Sequence, residues 1–301
     1  MTATRPLGTV LTAMVTPMHD DGSLDIDGAI KVAEYLLSHG SDGLVVSGTT
    51  GEAPTTHAPE KVDLTTALVE AVGDRATIVA GAGSNDTAHA VMMAEQAQEC
   101  GAHGVLALTP YYSKPSSKGV IAHFEAIAGA TDLPIMLYDI PGRTAMPIRD
   151  EVLDTIAQRD NVVALKDATG DLAQAKARIE RTGLAWYSGD DPLTLEFLRA
   201  GGVGTVSVVS HVVGESIARM IAAHDAGDDA TAEAEMAAQG AAIDALMGAG
   251  LGAVTAKASM QALGVIAGRH MRLPHVTFDD AEYAELVARL RDAGVPVEPT
   301  T

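Results

Sequence analysis

The chain has 301 residues, 47% of them hydrophobic, enough apolar length to bury a large core and to exclude a disordered polymer. Its 20 Lys and Arg stand against 40 Asp and Glu, a formal net charge of −20 that repels a phosphate backbone or an anionic bilayer and argues against nucleic acid or membrane as a partner. The single cysteine, Cys100, excludes an intrachain disulfide, a CxxC redox pair and a cysteine-cluster zinc site, which fits a reducing cytoplasm.

The first apolar run, 9–16, meets Pro17 and then His19-Asp20-Asp21. It is too short for a secretory h-region, no run of 18 apolar residues occurs anywhere, and it is read as a buried strand. A helix-spaced segment at 27–38 and a second apolar run at 43–47 follow. The alternation then continues: helix 59–72, strand 76–81, helix 87–99, strand 104–109, helix 118–130, strand 134–138, helix 149–158, strand 162–166, helix 171–181, strand 185–188, helix 192–200, strand 204–208. Gly40, Gly73, Gly101, Gly183 and Gly201 follow helices and suit left-handed C-terminal caps.

The runs are apolar on both faces, as parallel strands covered by helices are. Successive strand starts lie 19 to 34 residues apart, the size of one strand-helix unit. Eight such units predict a (β/α)8 TIM barrel over residues 1–224. An open doubly wound sheet is the weaker reading, because the first strand ends in Thr16-Pro17-Met18-His19 and lacks the glycine-rich turn. Beyond residue 225 the strands stop. Helical segments at 230–247, 254–267 and 279–293 predict a C-terminal α-helical appendage, 225–301, with Gly248-Ala249-Gly250-Leu251-Gly252 as a helix break.

Barrel enzymes build their sites at the C-terminal ends of the strands. The residues there include Gly48-Thr49-Thr50-Gly51-Glu52, Tyr111-Tyr112, Tyr138 with Arg143 five positions on, Lys166, and Gly189. Of seven lysines only Lys166 ends an apolar strand; the other six lie in helix-like or loop-like surroundings. Burial favours the free amine over the ammonium, and a free amine in a dry pocket attacks carbonyls to form a Schiff base. A lysine paired with Asp167 or another carboxylate is an equally good reading from position alone. Gly48-Thr49-Thr50-Gly51 is expected to open the helix after the second strand and offer N–H groups and two hydroxyls to a carboxylate, although a plain capped turn explains it as well. Tyr138 could carry protons to and from an imine if a hydroxyl such as Thr49 connects it to solvent, or simply close the barrel top. Arg143 could grip a second carboxylate bidentately or make a loop ion pair.

Taken together, GTTGE at 48–52, TPYYSKP at 109–115, YDIPGRT at 138–144, LKDATGD at 165–171 and SGDD at 188–191 resemble the pyruvate-dependent Schiff-base lyases, the family of dihydrodipicolinate synthase and N-acetylneuraminate lyase. The resemblance runs from about residue 9 to 210 and continues more loosely through the C-terminal helices. Thr49-Thr50, the Tyr111-Tyr112 pair and Arg143 favour the synthase branch over the sialic-acid and sugar-acid aldolases. It implies that Lys166 forms an imine with pyruvate. Tyr138, Thr49 and Tyr112 are then the proton relay, with Tyr112 reaching into a neighbouring subunit's site. Thr49 and Thr50 hold the pyruvate carboxylate, Arg143 holds that of L-aspartate 4-semialdehyde, and Gly189 and Val206 line the pocket. The implied product is 4-hydroxy-tetrahydrodipicolinate, on the diaminopimelate route to lysine, made without metal or organic cofactor in a cytoplasmic homotetramer of two tight dimers.

Another lyase of the family acting on a different aldehyde is the alternative, with Arg143 as discriminator. A sensor barrel that keeps the pocket would be free to lose Lys166, Tyr138 or Thr49, and all three are present. The feedback site for lysine found in some members is altered. Ala53, Ala58, Lys61 and His89 stand at the matching positions, while Asn85 and Tyr111 remain, so little inhibition by lysine is expected. The stretch around 252–257 also departs from the Asn-Pro form of many relatives.

Overall fold

A computed structural model describes residues 4–248 and 250–297. Ala249, within the expected helix break, lies outside the described residues. Eight parallel strands close on themselves in chain order: β1 (Val10–Ala13), β2 (Gly43–Val46), β3 (Thr77–Gly81), β4 (Gly104–Leu108), β5 (Ile135–Asp139), β6 (Val162–Asp167), β7 (Ala185–Ser188) and β8 (Gly204–Ser207), with β8 returning to β1. The expected barrel and all eight expected strands are present. Their lack of alternation has a plain cause. One side of each strand fills the barrel, as Leu11, Val45, Val79, Leu106, Met136 and Val206 do. The other side meets the helix layer, as Leu44, Ile78, Val105, Leu137, Leu165 and Trp186 do. Both sides are dry, so both are apolar.

Around the barrel run α1 (Ile26–Ser38), α2 (Ala58–Val72), α3 (Thr87–Glu99), α4 (Ser117–Gly129), the single turn α5 (Pro141–Thr144), α6 (Asp150–Ile156), α7 (Leu172–Thr182), α8 (Thr194–Arg199) and α9 (Ser210–Asp225). The side chains of Asp25, Asp86, Ser116 and Asp171 accept hydrogen bonds from first-turn N–H groups of α1, α3, α4 and α7, contacts worth about 1 kcal/mol each. Gly40, Gly101, Gly183 and Gly201 have the positive φ expected of caps, but Gly73 is right-handed at φ −65. Two helices were not legible. α5 is one turn long, and α9 carries a non-helical residue, Val213 (φ −134), followed by Gly214, which interrupts its period.

Past Asp225 come α10 (Asp229–Met247), α11 (Gly252–Ala262) and α12 (Asp280–Asp292). α11 ends short of the expected 267 because Gly264 turns left-handed at φ +70. α10 packs along α9 and meets α11 and α12. Ile243, Leu246, Met260 and Leu286 share one apolar cluster with the barrel helices. No single helix among the described residues is long and apolar enough to cross a membrane.

Candidate active site

Alternation along β5 and β6 decides which way their last residues face. Tyr138 shares its side with Met136, and Lys166 with Ala164, so both enter the barrel, while Asp139 and Asp167 face the helix layer. Tyr138 and Lys166 are register partners, and the Lys166 ammonium lies 4.3 Å from the centre of the Tyr138 ring. Lys166 is 6% exposed and makes no ion pair among the described residues. The pairing with Asp167 that position alone left open is not made. Asp167 is turned outward, accepting from the Thr169 amide at 2.8 Å, the Thr169 hydroxyl at 2.7 Å and the Trp186 indole at 3.0 Å. Asp191 is a buried carboxylate near enough for the Lys166 charge to act on it; burial pushes its carboxyl up, while Ser207, the Val208 and Val209 amides and Lys166 hold it down. A second tyrosine beside Lys166, Tyr187, is tied at its hydroxyl to the Gly8 carbonyl at 2.9 Å, so of the two tyrosines in register with Lys166 only Tyr138 lines the cavity.

Tyr138 lines a cavity of about 660 Å³ together with Thr49 and Arg143, while Lys166 is not among the residues of its walls. Thr49 arrives on a segment that is not a helix start. Residues 49–55 form consecutive turns and α2 begins only at Ala58, so the expected helix N-terminus is replaced by a turn cradle. Ser47 (φ 53) before it and Glu52 (φ 57) within it take left-handed conformations that cost non-glycine residues about 1–3 kcal/mol each. Surrounding contacts hold the strain: the Thr16 hydroxyl donates to the Gly51 carbonyl at 2.8 Å, and the Ala53 amide to the Gly48 carbonyl at 3.1 Å. The Thr49 and Thr50 amides donate to nothing among the described residues, which leaves two N–H groups and two hydroxyls at one corner. No hydrogen bond joins Thr49 to Tyr138 among the described residues.

The other expected residues fall elsewhere. Thr50 is buried and, unlike Thr49, does not line the cavity. Gly189 lies against the Lys166 stem: a Cβ there would stand 3.0 Å from Lys166 Cε and from the Asp167 carbonyl, so glycine leaves the lysine its path. Val206 belongs to the barrel-filling cluster with Tyr138. Tyr112 is 88% exposed, left-handed at φ 72, and outside its own chain's cavity. Arg143 lines the cavity from α5 and makes no side-chain hydrogen bond among the described residues.

Buried groups that sequence reasoning left without a role support this arrangement. Lys257 is as deep as Lys166, fully buried, but it is paired with Glu52 of the cradle and donates to the His270 carbonyl at 2.8 Å. The Arg272 amide donates to the other Glu52 oxygen at 3.0 Å. α11 is built largely of small residues and is buried from Gly252 to Met260, so the lysine within it is enclosed and needs an anion.

The model of the dihydrodipicolinate synthetase family matches residues 6–293. The 4-hydroxy-tetrahydrodipicolinate synthase of Acidothermus cellulolyticus is 49% identical over 287 residues, 95% of this chain and 91% of that one. A protein named 4-hydroxy-tetrahydrodipicolinate synthase 2 from Streptomyces coelicolor is 56% identical over 215 residues, 71% of this chain and 72% of that one. Among solved structures, a dihydrodipicolinate synthase from Bacillus anthracis superposes with a TM-score of 0.90 at 38% identity, covering 95% of this chain and 98% of that one.

Proposed function

This chain belongs to the dihydrodipicolinate synthetase family, and from that premise we propose which of its residues perform the reaction. The chain condenses pyruvate with L-aspartate 4-semialdehyde to 4-hydroxy-tetrahydrodipicolinate, a step toward diaminopimelate and lysine. Lys166 attacks the pyruvate ketone, and loss of water gives the iminium. With the iminium as electron sink, a proton leaves the methyl carbon and the enamine adds to the aldehyde. The amine of the second substrate then attacks the iminium carbon, closing the ring and releasing Lys166. One water is lost overall.

Each side chain has a part. The Thr49 and Thr50 N–H groups and hydroxyls hold the pyruvate carboxylate. Tyr138, with its ring against Lys166, moves protons on and off the imine through Thr49 and through Tyr112 supplied by a second copy of the chain. Exposed, left-handed Tyr112 is spent on nothing in its own subunit, which supports that reach. Gly189 and Val206 complete the floor, and Arg143 grips the carboxylate of the semialdehyde. A homotetramer of two tight dimers in the cytoplasm follows from this reading, with residues 1–224 as the catalytic barrel and 225–301 bracing it.

The observation that carries the assignment is a buried lysine beside a tyrosine with no carboxylate pairing it. Borohydride added with pyruvate should fix a reduced adduct on Lys166, seen as a mass increase on the peptide that holds it and lost in Lys166→Ala. No pyruvate-dependent mass change would end the reading. Arg143→Ala should impair use of the semialdehyde while leaving that trapping intact, and N-acetylmannosamine and glyceraldehyde should not replace the semialdehyde in the intact enzyme. Lysine should inhibit weakly: Lys61, in the cavity wall, sets a like charge against an amino acid's ammonium. Half-inhibition by sub-millimolar lysine contradicts this.

A further inference from the structure

Arg143 reaches the cavity from a segment, residues 140–149, of little regular structure, seated on the core by Ile148 and Met146. Its only regular structure is one helical turn, and Ala145 after that turn is left-handed at φ 62. Inside it the Thr144 hydroxyl donates to the Ile140 carbonyl at 3.0 Å or the Met146 carbonyl at 2.8 Å. The anchoring comes from beneath. Asp139, the last residue of β5, faces the helix layer and accepts the Ile148 amide at 3.1 Å, joining the segment's two ends across nine residues. Arg178 of α7 lies under both. It donates to Asp139 at 3.3 Å, to the Ile148 carbonyl at 2.8 Å and, through Nε, to Asp150 at 2.8 Å.

Asp139 and Arg178 are 0% and 3% exposed, and Asp167 stands in register with Asp139 at 1% exposure. Burial pushes the Asp139 carboxyl up to about 6, with Asp167 adding to the rise and the Ile148 amide and Arg178 opposing it. Three charges out of water are a poor way to gain stability, since apolar side chains of similar volume do as well or better. What an ion pair with three directed bonds supplies is geometry. Here the geometry is that of the loop bearing Arg143.

We propose that Arg178 and Asp139 are positioning residues for Arg143, setting how firmly the carboxylate of the second substrate is held while taking no part in imine formation from pyruvate. The proposal rests on the reading of Arg143 given above. Neither residue borders the cavity, so neither touches the semialdehyde directly.

The test compares Arg178→Met, Arg178→Lys, Asp139→Asn, Arg143→Ala and the double variant Arg143→Ala/Arg178→Met, each by steady-state kinetics in both substrates and by borohydride trapping with pyruvate. Arg178→Met should raise KM for the semialdehyde on the order of tenfold, with KM for pyruvate and the extent of trapping unchanged. Arg178→Lys should recover part of that loss, and Asp139→Asn, which keeps an acceptor for Ile148, should show a smaller effect of the same kind. In the Arg143→Ala background, Arg178→Met should add nothing further. Equal loss of trapping and semialdehyde affinity in the soluble variants makes the pair merely structural and overturns the proposal, as does an unchanged semialdehyde KM in Arg178→Met and Asp139→Asn. Full additivity of the two arginine substitutions overturns it while leaving the role of Arg143 standing. An Arg143→Ala enzyme with unchanged semialdehyde KM overturns the Arg143 reading itself, and the clamp with it.

Discussion

Two buried lysines in this chain have opposite fates, and their partners account for it. Lys257 has a carboxylate; Lys166 has an aromatic face and a backbone kept clear by Gly189. The position of Lys166 at a strand end was legible, since a lysine closing an apolar run is anomalous by itself. That it is unpaired was not, because Asp167 is its neighbour in sequence and only strand alternation turns that carboxylate to the other side. Histidines show the same division. His211 is fully buried, its Nδ1 donates to the Val208 carbonyl at 2.7 Å, and its Nε2 accepts the Val15 amide at 3.3 Å. Burial lowers its pKa from 6.5 to about 4, the Val208 carbonyl partly opposing. The unfolded chain takes up this proton as pH falls below 6.5 and the folded chain does not until about 4, so stability present above 6.5 is lost as pH falls across that window. His211→Asn should remove up to about 3 kcal/mol of the acid-dependent loss. Urea unfolding of both proteins at each end of the window measures it, and parallel pH profiles would refute the assignment.

At the scale of elements, the strands lay where their apolar runs ended, because a barrel strand is dry on both sides and has no other composition open to it. Short or interrupted pieces were lost: α5 is below the length at which a period can be read, and α9 breaks at Val213. The turn after β2 was expected as a helix start, but its conformation depends on contacts from Thr16, past the end of β1, and from helix α11 some 200 residues away. That last contact joins α11 to the turn cradle after β2. Lys257→Met leaves Glu52 buried without its cation and should cost about 3–5 kcal/mol in urea unfolding. Adding Glu52→Gln should recover part of the loss. KM for pyruvate should rise in the single variant as the Thr49-Thr50 corner loosens. A single variant as stable as the parent would show that the pair does not hold these elements together.

Over the whole molecule, a formal charge of −20 must admit two anionic substrates. The walls of the cavity invert the balance, with Lys61 and Arg143 against the single carboxylate of Asp86. Local attraction at the mouth then governs entry. kcat/KM for the semialdehyde should fall as ionic strength rises from about 0.01 M to about 0.1 M, which shortens the Debye length from about 30 to about 10 Å. Arg143→Ala should flatten that slope; a rise with salt would mean that the overall negative field dominates. By itself the sequence determined the barrel and the placing of one lysine at a strand end, because burial on two sides and unit spacing are local patterns that no distant contact can rewrite. Tertiary structure alone decided which charges pair. Glu52 with Lys257 and Asp139 with Arg178 join elements far apart in the chain, and a buried ion takes whichever partner the closed barrel brings within reach.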